Sequence, residues 1–140
     1  MTKTEIIVKV KELNLPQDSY VVYGSCPLAA AGIREVKDID LVVSPEVLAN
    51  LKKAGWREVE KAPNDKPITH DVFEAHDKRG FSSYSPTLEH LQRTATIING
   101  VPFASLEEVR KWKAASGRPK DLADIELINE YLRNSVEKSD

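Results

Sequence analysis

Between Tyr20 and Ser44 the apolar positions fall into two short runs, YVVY and IDLVV, joined by a segment of small residues. The first run ends in Gly24-Ser25, and the second carries Asp38 and Asp40 with one apolar residue between them. Alternate side chains on a strand share a face. This spacing therefore puts both carboxylates on one side and Ile39, Leu41 and Val43 on the other.

The pattern elsewhere predicts the elements around these runs. Lys3 to Leu13 reads as an amphipathic helix with Ile6, Val10 and Leu13 on one stripe, ended by Asn14 and Pro16. Tyr20 to Tyr23 is the first strand, Pro27 to Ile33 a short helix, and Asp38 to Val43 the second strand. Ser44-Pro45 starts a helix that runs to about Ala54 and stops at Gly55. Trp56 to Glu60 and Ile68 to Ala75 read as strands around a polar turn, Lys61 to Lys66. After a polar loop, Asp77 to Ser85, a short helix covers Pro86 to Arg93. Asn99-Gly100 between apolar runs predicts a hairpin over Ala95 to Phe103. Ser105-Leu106-Glu107-Glu108 is a capping box, so a helix starts at Leu106, runs to about Ser116 and stops at Gly117. Pro119 starts a last helix carrying Leu122, Ile125, Leu127, Ile128 and Leu132.

The expected fold is one α/β (α+β) domain: a small mixed β-sheet flanked by helices, with a C-terminal helical pair. Residues 1–104 hold the sheet, 105–134 the helical pair, and 135–140 a frayed tail. A chain of 140 residues with 41% hydrophobic and 30% charged positions is in the ordinary globular range. Its formal net charge of −2 argues against general nucleic-acid binding. The single cysteine, Cys26, excludes an intrachain disulfide and multi-cysteine zinc sites. No N-terminal apolar signal and no membrane-length run is present, so a soluble cytoplasmic protein is expected.

Two carboxylates side by side on a strand repel one another and lose hydration. A divalent cation is the usual compensation. The alternative is a solvated face with salt bridges to Arg34 or Lys37. A third carboxylate is expected from a neighbouring strand, with Asp71 the first candidate and Glu74 the second; on a regular strand those two face opposite ways. His70 and His76 read as exposed residues rather than ligands, and Cys26 as a packed residue. The glycine of Gly24-Ser25 lets the backbone approach an anion, to which the Ser hydroxyl can donate; the alternative is an ordinary strand-to-helix turn.

In this order the pieces resemble the nucleotidyltransferase superfamily, the DNA polymerase beta-like fold. Its signature stands here as Tyr23-Gly24-Ser25 followed by Asp38-Ile39-Asp40-Leu41. Ser105 to Ile128, with Gly117-Arg118-Pro119-Lys120-Asp121, is similar to the C-terminal segment of small bacterial nucleotidyltransferase-like proteins, and Arg34 to the Arg that often precedes the paired aspartates. The resemblance implies two Mg²⁺ ions on Asp38, Asp40 and Asp71, with Gly24 and Ser25 holding the β- and γ-phosphates of a nucleoside triphosphate. An acceptor hydroxyl on a small molecule or a protein would take the nucleoside monophosphate, and pyrophosphate would leave. Arg34, Lys113, Arg118 and Lys120 are candidate nucleotide contacts; their alternatives are a solvated turn and, for Arg34, a salt bridge to Asp38 or Asp40. Trp56, Trp112 and Phe73 read as packing residues rather than base-stacking ones. Asp121 and Asp124 suit the dipole of the last helix and could orient Arg118 or Lys120.

The chain departs from the pattern at Pro27, where many members carry Arg or Ala. It also shows no second substrate domain of the kind antibiotic- or tRNA-modifying members carry. The acceptor pocket is then expected from a partner protein, a second subunit, or the loops at Lys61 to Lys66 and Gly80 to Ser85. The competing readings are an antitoxin-like or regulatory interaction protein and a non-catalytic nucleotide-binding module. Retention of both Asp38 and Asp40 favours the enzyme.

Overall fold

The computed structural model describes residues 1–81 and 83–138. Helix α1 (Lys3–Glu12) begins in a capping box between Thr2 and Glu5. Strand β1 (Tyr20–Tyr23) leads through Gly24-Ser25 into α2 (Cys26–Ala30) and then β2 (Ile39–Val43). Helix α3 (Pro45–Lys53) has Ser44 as its N-cap. Strands β3 (Arg57–Glu58), β4 (Ile68–His70) and β5 (Phe73–His76) follow, then α4 (Leu88–Arg93). The hairpin β6 (Thr96–Ile98) and β7 (Val101–Phe103) precedes the C-terminal pair, α5 (Leu106–Ser116) and α6 (Pro119–Lys138).

The seven strands form one mixed sheet in the order β3-β4-β5-β2-β1-β7-β6. β1 and β2 pair antiparallel, whereas β5 on β2 and β7 on β1 are parallel. Alternation then sorts the two faces. Tyr20, Val22, Ile39, Leu41, Phe73 and Ala75 point into a core covered by α1, α2 and α3. Val21, Tyr23 and Val42 point the other way, into a second core with Leu91 of α4, Val109 and Trp112 of α5 and Ile128 of α6. The sheet is thus sandwiched between helical layers, and Asp38 and Asp40 continue the row of Val42 on the α5–α6 face.

Helix α2 is shorter than its apolar pattern suggests. Gly32, with φ +77°, takes the left-handed position after it. The Ile33 amide then donates to Leu28 O at 2.9 Å and the Gly32 amide to Ala29 O at 3.0 Å, a Schellman closure that packs Ile33 in the same core as Leu28. The expected single strand at Ile68–Ala75 is instead two strands of a hairpin, closed by His70 opposite Phe73. Asp71 makes the turn in the left-handed region, φ +53°, which an Asp side chain tolerates without glycine.

At the Asn99-Gly100 turn both residues have positive φ, +50° and +81°, as a two-residue hairpin of the mirror-image type demands. The capping box at Ser105 is only half formed. Ser105 Oγ accepts from the Glu108 amide, but the Glu108 carboxylate turns away to His90 Nε2, 2.7 Å distant. The inward stripe of α6 is Asp121, Asp124, Ile128 and Leu132, while Leu122 and Leu127 lie exposed. Backbone helix continues to Lys138, and Ser139 and Asp140 of the expected tail lie outside the described residues. Among the described residues no helix is long and apolar enough to cross a membrane.

Candidate active site

The antiparallel pairing of Tyr23 with Asp40 sets Gly24 directly over the Asp40 carboxylate. A Cβ built on Gly24 would lie 2.1 Å from Asp40 Oδ2 and 2.8 Å from its Cγ, and the backbone there has φ +64°. Only glycine satisfies both the conformation and the contact. Next along, Ser25 spends its hydroxyl on no helix cap. These residues open onto a cavity of about 560 Å³ on the α5–α6 side of the sheet, lined also by Asp38, Glu74, Lys61 and Arg79.

The parallel register of β2 with β5 places Glu74 beside Asp40. Asp40 Oδ1 is buried and has no hydrogen-bond partner. Burial first, and then the charge of Glu74, push the Asp40 carboxyl up to about 7. Glu74 itself is bonded by the Lys61 ammonium. Asp38, one residue before β2, lines the same cavity. Asp71 does not join this row. It sits exposed in the β4–β5 turn, bonded by Lys9 Nζ of α1 at 3.2 Å, because the turn reverses the strand before Glu74. Glu74, the second candidate from sequence, is the β5 carboxylate that lies beside Asp40. Among the described residues, no three carboxylate, imidazole or thiol groups stand together as a ready-made metal cage.

The cations come from the segment before β2 and from the C-terminal helices with the turn between them, and most are already engaged. Lys113 is only 3% exposed on its side chain, and its Nζ donates to Ser25 Oγ at 3.0 Å and to Asp124 Oδ2 at 2.8 Å. Arg34 forms a fork on Asp124 at 2.9 and 2.7 Å rather than a bridge to Asp38 or Asp40. Arg118 does the same on Asp121, at 2.7 and 3.2 Å. Asp121, in the first turn of α6, thus orients Arg118 as expected, and both aspartates also serve as buried counter-ions. Burial pushes the Asp124 carboxyl up, but the bonds from Arg34 and Lys113 outweigh it and hold the group below its ordinary value. Lys120 lines the cavity mouth.

This arrangement predicts an asymmetry. Asp124→Ala leaves Lys113 buried with only Asp121, 3.6 Å away, as counter-charge, and should cost about 3 kcal/mol in urea unfolding. Lys113→Met leaves Asp124 with its Arg34 fork and should cost less than half as much.

No protein-family model matches this sequence, and no curated protein does. Among solved structures it is similar to the aminoglycoside nucleotidyltransferase ANT(2")-Ia in complex with adenylyl-2"-tobramycin: TM-score 0.53, 20% identity, 94% of this chain and 88% of that one covered. The chain has a nucleotidyltransferase-like fold. The likeness is one of fold.

Within this nucleotidyltransferase-like fold, the remaining candidates fall on either side of the sheet. Trp56 stacks on His70 at 5.5 Å and lies tilted against Phe73 at 5.7 Å in the α1–α3 core, away from the cavity. Trp112 does line the cavity, but the Arg79 guanidinium covers its ring at 4.9 Å. Cys26 is buried, its Sγ donates to Asp38 O at 3.4 Å, and burial pushes the thiol up to about 12, so it is a packed residue. His76 is half-buried rather than exposed, 3.0 Å from Asp65 Oδ1 and 3.2 Å from Arg79 Nη1, with burial lowering its ring below the ordinary value.

Lys61, Asp65 and Arg79 were not singled out one by one in the sequence, although the Lys61 to Lys66 loop was named as a possible wall of the acceptor pocket. They lie in stretches that read as polar turns. A topological signal exists: β4 runs antiparallel to β5, so the loop entering β4 and the loop leaving β5 emerge at the same end of the sheet. Asp65 and Arg79 fasten the two loops together at 2.7 Å.

Proposed function

We propose that this chain is a nucleotidyltransferase, moving a nucleoside monophosphate from a nucleoside triphosphate to an acceptor hydroxyl. The observation that carries this reading is Asp40: a carboxylate with a sealed, unpartnered oxygen, beside Glu74 and pressed against a glycine that nothing larger can replace. An orphaned buried carboxylate oxygen in a row of hard oxygen donors fits a divalent cation such as Mg²⁺. Asp38, Asp40 and Glu74 would hold it, and the bound ion would supply positive charge to the attacking and leaving oxygens.

The chain's own residues do the positioning. Lys113 donates to Ser25 Oγ, which leaves the hydroxyl's own proton free to donate to a phosphate oxygen. Gly24 keeps the backbone low enough for that phosphate to lie near the carboxylate row. Arg118 and Lys120 at the mouth add positive charge where pyrophosphate departs. In the reaction the acceptor oxygen bonds the α-phosphorus, the bond from that phosphorus to the β-phosphate bridging oxygen breaks, and the acceptor's proton passes to the nearest carboxylate. The solved neighbour's bound adenylyl-2"-tobramycin supports nucleotidyl transfer as the reaction class.

The test does not depend on knowing the acceptor. ATP, GTP, CTP and UTP are added with Mg²⁺ while amide NMR shifts are recorded. At least one should perturb Gly24, Ser25 and the Asp38–Asp40 segment, and release pyrophosphate when offered hydroxyl acceptors. If none of the four moves those signals, the reading fails.

A further inference from the structure

Lys61 lies in the turn between β3 and β4, and that turn is fastened independently of its side chain. Its amide donates to Asp65 O at 2.9 Å, and the Asp65 amide donates back to Ala62 O at 2.9 Å. The Asp65 carboxylate is gripped in turn by Arg79 at 2.7 Å. From this fixed base the lysine stem crosses to Glu74, and its ammonium bonds Oε1. The Lys61 side chain remains 42% exposed while Glu74 is 13% exposed, so the lysine can rotate away into solvent with no movement of the backbone. Lys61 lines the same cavity as Ser25, Arg118 and Lys120.

We propose that Lys61 is the resident counter-ion of this site: its ammonium holds Glu74 when no divalent cation is bound, releases that carboxylate when such an ion arrives, and is thereby freed toward the phosphate-holding side of the cavity. The inference rests on the reading of Asp38, Asp40 and Glu74 as a cation site. Three carboxylates faced by the Lys61 ammonium and by the Arg79 guanidinium, which is itself bonded to Asp65, leave a net negative site that a divalent ion neutralises better than a monovalent group. A lysine is suited to the exchange because its ammonium is a point charge on a flexible stem, bonded to Glu74 through one contact rather than a fork. Lys61 is a positioning residue in this scheme, coupling ion binding to the orientation of a cationic side chain.

The test uses the full chain and an amine-acylating reagent, with acylation of each lysine followed by mass spectrometry. Lys52, exposed on α3, is the internal reference. Addition of MgCl2 or MnCl2 should speed Lys61 acylation several-fold relative to Lys52. In calorimetry with MnCl2, Lys61→Met should bind the ion several-fold more tightly than the wild type, since no ammonium competes. If the ion binds but Lys61 acylation and the Lys61→Met affinity are unchanged, the lysine is a permanent bridge; the inference falls while the cation-site reading stands. If neither protein binds either ion, both fall. Should Lys61→Met fail to fold, acylation of the wild type decides alone.

Discussion

Asp40→Asn will abolish nucleotide-dependent pyrophosphate release and, in chelator at neutral pH, raise the melting temperature. Loss of one central carboxylate from a charge-stabilised phosphoryl site removes on the order of 10³-fold or more in rate. The stability effect has the opposite sign because Asp40 is held against its own preference. Burial and Glu74 raise its carboxyl from the ordinary 3.8 to about 7 in the folded chain. Between those values the folded protein keeps a proton that the unfolded chain has released. Stability is therefore greatest at the acid end of this window and falls as pH rises through it, by up to about 1.4 kcal/mol per pH unit. Asn carries no such proton, so the variant should lose this slope and gain most above pH 7. Urea unfolding of both proteins with EDTA at pH 5 and pH 7.5 measures it. A variant less stable than wild type at pH 7.5 would show that the carboxylate's contacts outweigh its repulsion.

Gly24→Ala should be among the most damaging small substitutions in the chain. The left-handed backbone alone penalises a Cβ by about 1–2 kcal/mol. The new methyl would also lie 2.1 Å from Asp40 Oδ2, and relief of that overlap needs a shift of β2 or of the turn, worth a further 1–3 kcal/mol or so. The expected total is about 2–5 kcal/mol in urea unfolding, with loss of activity. Gly100→Ala is the control: its φ is +81° but nothing lies within 4 Å of the added carbon, so only the conformational part applies. In a double-mutant cycle, Asp40→Gly should recover about 1 kcal/mol or more of the Gly24→Ala penalty by vacating the space. Additive losses would show that the backbone, not the contact, sets the need for glycine.

Much of this site was legible because it is local. Alternation puts Asp38 and Asp40 on one face, and a strand ending in Gly-Ser marks a close approach; both are properties of neighbouring residues. Asn99-Gly100 and the start at Ser105 were readable for the same reason. The segment ITHDVFEA misleads because its β-branched and aromatic residues suit one continuous strand, and the reversal at Asp71 is made without Gly or Pro. That hidden turn carries Asp71 away from the row and leaves Glu74 beside Asp40. Arg34 and Asp124 lie 90 positions apart, and Lys113 and Ser25 lie 88 apart, so no spacing rule links them. The same holds for α6, whose inward face begins with two aspartates because cations from elsewhere in the chain meet them there. Of the apolar residues read on that helix, Leu122 and Leu127 lie exposed while the two aspartates point inward.

The anchoring of Ser25 by Lys113, and of Lys113 by Asp124, has a consequence for the order of synthesis. The Gly-Ser turn, Asp38 and Asp40 leave the ribosome early, and β1 with β2 is a local pairing that forms quickly. The residues that hold the turn and roof the cavity belong to the last quarter of the chain. A nascent or prematurely terminated polypeptide ending before α5 would carry the whole acidic row with Tyr23 and Val42 uncovered beside it, an adhesive apolar surface around repelling charges. The interval between synthesis of β5 and of α6 is thus the stretch in which this chain most needs protection from aggregation and proteolysis.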